Sequence, residues 1–230
     1  MAMVDLEAQA PTAESVAGRA HQWLRRELMR SRFRPGEKLK LRQLAEELGV
    51  SLTPVREAIA RLVSENALEQ LDHRSARVPP FSEERVREVC ELRMELEGKA
   101  AERAAERATP ADVARLAAIQ ARMTEARLAG RGLEMTQENE RFHMTVCALA
   151  GMPVLLQIVE NLWLRCGPLN FALQSMRFLH RPEEHPHNDV IRGLAAGDGA
   201  LARLAIQRDI AVYSDAIRRR LPAVNVSASG

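Results

Sequence analysis

Two groups of side chains in this sequence are arranged so that they could act on a partner molecule, and each asks for a different one. Over Ser51 to Leu62, the apolar residues Val55, Ile59 and Leu62 recur at helical spacing, so Arg56, Ala60 and Arg61 fall toward the other side of the same helix. A free arginine face of that kind suits a DNA major groove, where the planar guanidinium grips guanine O6 and N7 or holds a phosphate. The second group is in the other half of the chain. Asn139 and His143 are four residues apart and project from one helical face, as paired metal ligands must. By itself that pair equally fits a core histidine satisfied by hydrogen bonds. Arg93 lies among the apolar residues Val86, Val89, Leu92 and Leu96, and a buried guanidinium requires an acid. A small carboxylate ligand would meet that need, and so would an internal ion pair with Glu97.

The helices and turns that carry these side chains can be read from their boundaries. Leu41, Leu44, Ala45 and Leu48 form a helical stripe that ends at Gly49, and Ser51 or Thr53 can cap the arginine-bearing helix, with Pro54 in its first turn. That is a helix-turn-helix. A preceding helix from about Glu14 to Ser31 carries Val16, Ala20, Trp23, Leu24 and Leu28 inward, and Arg34-Pro35-Gly36-Glu37 breaks it. Two short extended pieces between Leu68 and Val78, around Asp72-His73-Arg74-Ser75, are read as a wing. Pro79-Pro80 then stiffens a boundary. Beyond it, six helices are expected at about 82–108, 109–129, 133–150, 153–178, 183–197 and 199–221, which pack naturally as an antiparallel bundle. The first of these should turn Val86, Val89, Leu92, Arg93, Leu96 and Ala100 inward.

Composition agrees with a mainly α protein: an N-terminal winged helix-turn-helix domain over residues 12–80 plus a C-terminal antiparallel six-helix bundle over 81–222. Hydrophobic residues are 46% of the chain and aromatics only 3%, which favours helices over strands. The net charge of +2 gives no global attraction to nucleic acid, so the basic signal must be local. It concentrates in the run from Arg19 to Arg42. No apolar stretch approaches the roughly 20 residues of a membrane helix, and Asp5 and Glu7 disfavour a signal peptide. A cytoplasmic protein is expected, with Cys90, Cys147 and Cys166 as reduced, buried thiols. His180 and His185, beside a proline-rich turn, are expected to be solvated.

The string Pro35-Gly36-Glu37-x-Leu39, then Leu44 to Ser51, then Thr53-Pro54-Val55-Arg56-Glu57-Ala58 closely resembles the winged helix of GntR-family transcriptional regulators. The second half resembles the FCD ligand-binding bundle of the FadR branch through Glu91-Leu92-Arg93-x-x-Leu96-Glu97, Asn139-x-x-Phe142-His143, and His187 followed by Gly197-Asp198. Its length looks more like the VanR-type subgroup. That resemblance implies a homodimer binding an inverted-repeat operator, with Arg42 and Arg56 on the DNA, Ser51 and Thr53 near phosphates, and His73 and Arg74 in the wing. Leu52 departs from the family, which usually has a base-reading arginine there, and Ser75 replaces the usual wing glycine.

In the bundle, the resemblance implies a divalent transition metal such as Zn, Ni or Mn at Asn139, His143, His187 and Asp209, where metal-binding relatives have Asp, His, His and His. One carboxylate remains, but it has changed position. An amide carbonyl, two imidazoles and a carboxylate still suit such ions. Arg93, with Arg165 as a further candidate, is placed by the resemblance toward a small carboxylate effector. The function implied is a ligand-responsive repressor released by a small organic acid. The competing reading is a metal-dependent enzyme carrying a nucleic-acid-binding module. The sequence lacks Ser-His-Asp, Cys-His and His-Glu-x-x-His arrangements and any phosphate-cradling glycine loop, which weighs against catalysis.

Overall fold

The structure, a computed structural model, describes residues 15–72, 75–80, 82–170 and 182–219. The N-terminal unit runs α1 (Val16–Met29), β1 (Lys38–Lys40), α2 (Leu41–Leu48), α3 (Leu52–Ser64), β2 (Glu69–Asp72) and β3 (Ser75–Arg77). Leu44, Leu48, Val55, Ile59 and Leu62 are buried against Ala20, Leu24 and Leu28 of α1, as the helical spacing required. Gly49 ends α2 in the left-handed conformation, with φ 66°. Ser51 occupies the N-cap backbone position of α3, yet its hydroxyl makes no capping bond.

The wing is a three-stranded antiparallel sheet, ordered β1-β3-β2, with Leu39 opposite Ala76 and Gln70 opposite Ala76 on the other side. Its third member, β1, escaped the sequence reading because three residues carry no period and the strand it pairs with lies on the far side of α2 and α3.

The bundle contains α4 (Glu83–Ala105), α5 (Pro110–Leu128), α6 (Gly132–Leu149), α7 (Pro153–Asn170), α8 (Pro186–Ala196) and α9 (Gly199–Arg218). Thr109 and Asp112 form a reciprocal capping box at the start of α5, and Ser82 and Asp198 cap α4 and α9. One turn of 3-10 helix, Pro182–Glu184, precedes α8. Residues 171–178 of the expected fourth bundle helix, and His180, lie outside the described residues. Leu92 was expected inward but is 46% exposed, because α4 presents Val89, Cys90, Arg93 and Glu97 to its neighbours instead. No helix among the described residues is long and apolar enough to cross a membrane.

The two units meet along α1 and α7. Gly167 is the tightest point: a Cβ there would overlap the Leu28 carbonyl and sit 2.6 Å from Met29 Cα. Ser31, at φ 60°, donates its hydroxyl to the Gly167 carbonyl at 2.7 Å. Gly167→Ala is therefore expected to destabilise the chain by about 1–3 kcal/mol through overpacking, seen as a lower urea midpoint. An unchanged midpoint would mean that the two helix backbones do not approach this closely.

Candidate functional site

The N-terminal unit carries an open concavity of about 470 Å³ whose lining includes Lys38, Lys40, Arg42, Leu52, Arg56, Asp72 and Ser75. The sheet, the start of α2 and the first turns of α3 converge there. Arg42 and Arg56 are exposed, as are Ser51 and Thr53, while Leu52 is partly buried against the core. Lys38 and Lys40 on β1, part of the basic run from Arg19 to Arg42, line the same concavity as Arg56, a placement that the sequence did not give because it comes from strand pairing. Ser75 is buried, and its hydroxyl has no hydrogen-bond partner among the described residues. His73 and Arg74 lie outside the described residues.

In the middle of the bundle, His143 from α6, His187 from the first turn of α8 and Asp209 from α9 bring one donor atom each to a common point. His143 Nε2 is 3.1 Å from Asp209 Oδ2 and 3.2 Å from His187 Nε2, and His187 Nε2 is 3.7 Å from the same carboxylate oxygen. A triangle with those sides has its centre about 2 Å from every corner, which is the bond length of a divalent transition metal to imidazole or carboxylate. Two imidazoles and a carboxylate are also the donor types such ions take. The residues present therefore fit a metal ion. Asn139 is on α6 one turn before His143.

Partners outside the triangle fix both histidines. His187 Nδ1 donates to Gln120 Oε1 at 2.8 Å, leaving Nε2 as the free lone pair that ligation needs. The His187 ring also stacks on Phe142, with centroids 3.8 Å apart. His143 Nδ1 donates to Glu97 Oε2 at 2.6 Å. Glu97 is the hub of this inner layer: its Oε1 accepts from Arg93 Nε at 2.6 Å and from Trp163 Nε1 at 2.9 Å. The Arg93 guanidinium lies 4.0 Å from the Trp163 ring centre.

The charges follow from these neighbours. Burial would raise the Glu97 carboxyl, but Arg93 and His143 beside it overcome that effect and hold it at about 2. Burial likewise works against the His143 imidazolium, while Glu97 and Asp209 reverse the balance and raise its pKa. His187 is lowered, chiefly by burial, and so tends to the neutral form. The Asp209 carboxyl is held well below the ordinary range by the histidines around it despite its burial.

Arg93 thus forms an internal ion pair with Glu97 through its Nε, the alternative that the sequence left open. Arg165 is elsewhere: its Nη2 reaches the Glu65 carbonyl at 3.4 Å, at the end of α3. His185, expected to be solvated, is instead the N-cap of α8, with a side chain only 11% exposed and Nδ1 3.9 Å from Asp209 Oδ1. A His-Pro-His run at a helix start was the available signal, since proline favours the first helical position and so sets both histidines around one turn. The three cysteines are free and buried.

A winged helix-turn-helix joined to an all-α bundle with a histidine–carboxylate centre defines a class of two-domain bacterial transcription factors. The family described as bacterial regulatory proteins, gntR family, matches residues 16–78, and the FCD domain matches residues 88–212. The chain belongs to the GntR family, carries a C-terminal FCD domain and is a DNA-binding transcriptional regulator. It is 36% identical over 145 residues to the HTH-type transcriptional regulator McbR of Escherichia coli K12, covering 63% of this chain and 66% of that protein. It is 33% identical over 159 residues to the Nta operon transcriptional regulator of Aminobacter aminovorans, covering 67% and 73%. The first of these matched stretches spans just under two thirds of its relative's length. The solved structure of E. coli McbR/YncC matches with a TM-score of 0.77 at 27% identity, covering 93% of this chain and 98% of that one.

Proposed function

We propose that the chain is a cytoplasmic, metal-loaded repressor that binds an inverted-repeat operator as a homodimer and is released by a small organic acid. The observation carrying this reading is the triangle of His143, His187 and Asp209 donors, sized for a transition metal and enclosed by the bundle. Residues 12–80 would form the DNA-reading domain and 81–222 the effector and dimerisation domain, a division supported by the two matched ranges. His143, His187 and Asp209 would hold Zn, Ni or Mn, with Asn139 one turn away as the further oxygen donor. A metal there would supply a positive centre to which a carboxylate can bind.

This chain's own residues supply the remainder. Gln120 and Glu97 hold the two imidazoles in the orientation ligation needs, and Phe142 keeps water from one face of His187. An acid reaching Arg93 must compete with Glu97 for the guanidinium, so occupation of the site would rearrange the Arg93–Glu97–Trp163 group. Arg165 points to the end of α3 instead, where its Nη2 lies 3.4 Å from the Glu65 carbonyl.

Dimerisation has a physical rationale. One short helix meets few base pairs, whereas two linked copies nearly multiply their binding constants. The exposed residues Arg42, Arg56, Ser51 and Thr53 would make the operator contacts, together with His73 and Arg74, which follow β2 in the sequence. Arg56→Ala is expected to weaken operator binding more than about tenfold, the loss of one bidentate arginine–guanine pair, with dimerisation intact. An unchanged gel shift at moderate salt would reject Arg56 as a base reader.

The whole reading is tested on the full chain by elemental analysis, sedimentation and anisotropy titration of a labelled operator with a panel of small carboxylic acids. One metal per chain, a dimer, and operator release by an acid are expected. A metal-free monomer indifferent to every acid would overturn it.

A further inference from the structure

One helix touches both the bundle centre and the reading head. Trp163 of α7 is 1% exposed, donates to Glu97 at 2.9 Å and lies tilted against His143 with ring centres 5.1 Å apart. Two residues further on, Arg165 reaches the opposite way to the Glu65 carbonyl, the C-cap of α3. Four residues after Trp163, Gly167 is wedged against the α1 backbone. The Glu65 side chain is clasped in turn by His21 at 2.8 Å and Arg25 at 2.9 Å, and Arg25 also donates to Asn161 of α7 at 3.0 Å. The end of α3 is therefore fastened to α7 directly and through α1.

The arginine link is weaker than its neighbours. Its hydrogen bond is long, and Arg165 Nε is buried with no hydrogen-bond partner among the described residues. A second guanidinium, Arg85 of α4, donates to the Asn66 carbonyl at 2.7 Å, so two like charges crowd one helix end. The negative end of the helix dipole favours both, and their mutual repulsion opposes it. An under-satisfied buried group facing a like charge has little energy to lose when its helix shifts. Trp163, in contrast, is held by a charge-assisted bond and by the Arg93 cation over its ring.

We propose that Arg165 is the positioning residue through which the state of the Glu97 cluster reaches the DNA-reading helix, with α7 as the connecting rod. While Glu97 holds the indole, α7 keeps the register in which Arg165 grips the end of α3. When Glu97 changes partners, Trp163 and then Arg165 shift, and α3 loses its fixed angle. Arg56 is nine residues, about 13 Å along the helix, from Glu65, so motion at the C-terminal end is passed rigidly to the DNA face. This inference rests on the functional reading above only in taking the bundle centre as the sensing site.

A double-mutant cycle on the full chain tests it without knowing the effector. Glu97→Gln, Arg165→Met and the double variant are titrated against a duplex selected by the parent protein from a random library. Amide exchange over residues 61–66 is followed in parallel without DNA. Glu97→Gln is expected to change duplex affinity about fivefold or more when Arg165 is present and less than about twofold when it is made in the Arg165→Met background, and to speed exchange at 61–66 only in the former case. Equal factors in both backgrounds, or no effect of Glu97→Gln on affinity and exchange, overturn the proposal. If Glu97→Gln loses its near-ultraviolet circular dichroism, Trp163→Phe replaces it, since that change keeps a ring and deletes the donor. Metal content is measured separately. Non-additive energies in a chain that binds no metal leave Arg165 its role and reject the metal reading, and additive energies in a metal-loaded chain do the reverse.

Discussion

Glu97→Ala lowers the stability of the chain by about 3–5 kcal/mol, the expected cost of removing one partner from a buried ion pair. The carboxylate is 1% exposed and accepts from Arg93, Trp163 and His143 together. Alanine would leave a guanidinium that is itself 2% exposed with no acid in reach of its Nε, and an imidazole without its Nδ1 acceptor. Water does not restore either group cheaply, because the surrounding side chains of Trp163, Cys166 and Tyr213 close the space. Glu97→Gln should cost less, since the amide oxygen still accepts from Arg93 and the side-chain volume is kept. Urea unfolding of the three proteins in the presence of a chelator gives the comparison. A loss under about 1 kcal/mol for alanine would show that Arg93 and His143 find other partners, and that the hub assigned to Glu97 is not one.

His143→Ala is expected to weaken binding of a divalent transition metal by a factor on the order of a hundred or more. Loss of an outer partner alone costs about 10–100-fold, and this substitution removes a donor itself. His143 occupies the corner shared by the two shortest sides of the donor triangle, so its loss would leave His187 and Asp209, 3.7 Å apart, as the remaining pair of that triangle. Zn²⁺ or Ni²⁺ titration of the apo-protein by calorimetry, with elemental analysis after dialysis, reads the effect. Equal affinity in mutant and parent would remove the metal proposal. Full retention by His143→Ala together with loss in His185→Ala would move the site toward the N-cap of α8, where His185 already sits 3.9 Å from Asp209. These two substitutions separate the inner layer from the donor layer: the first acts on folding through charge pairing, the second on ligation.

Much of the architecture was written locally. The stripe of Leu44, Leu48, Val55, Ile59 and Leu62, the glycine stop at Gly49 and the start of a helix at Thr109-Pro110 all rest on interactions within a few residues, and each formed where spacing placed it. The six bundle helices are legible for the same reason. The short strand β1 is not, since its stability comes from pairing with β3 rather than from its own three residues. Leu92 misled because an apolar residue on a long helix can serve either face until the neighbours are known.

The kind of protein this is could be read in one dimension: a helix-turn-helix whose second helix bears Arg56, a winged unit before an all-α bundle, and a family pattern spanning both. Local propensity, capping and periodicity act over three or four residues, so they leave their mark along the chain itself. The partner that each buried charge received was settled only when the helices packed. Arg93 went to Glu97 and Arg165 to the end of α3, while His185 turned toward Asp209. The Arg93–Glu97 pair is an i,i+4 contact that spacing on one helix allows, but its junction with Trp163 and His143, and the places of Arg165 and His185, depend on distances between helices far apart in the chain, and electrostatic pairing falls off over a few ångströms, so no spacing rule along the sequence can specify those.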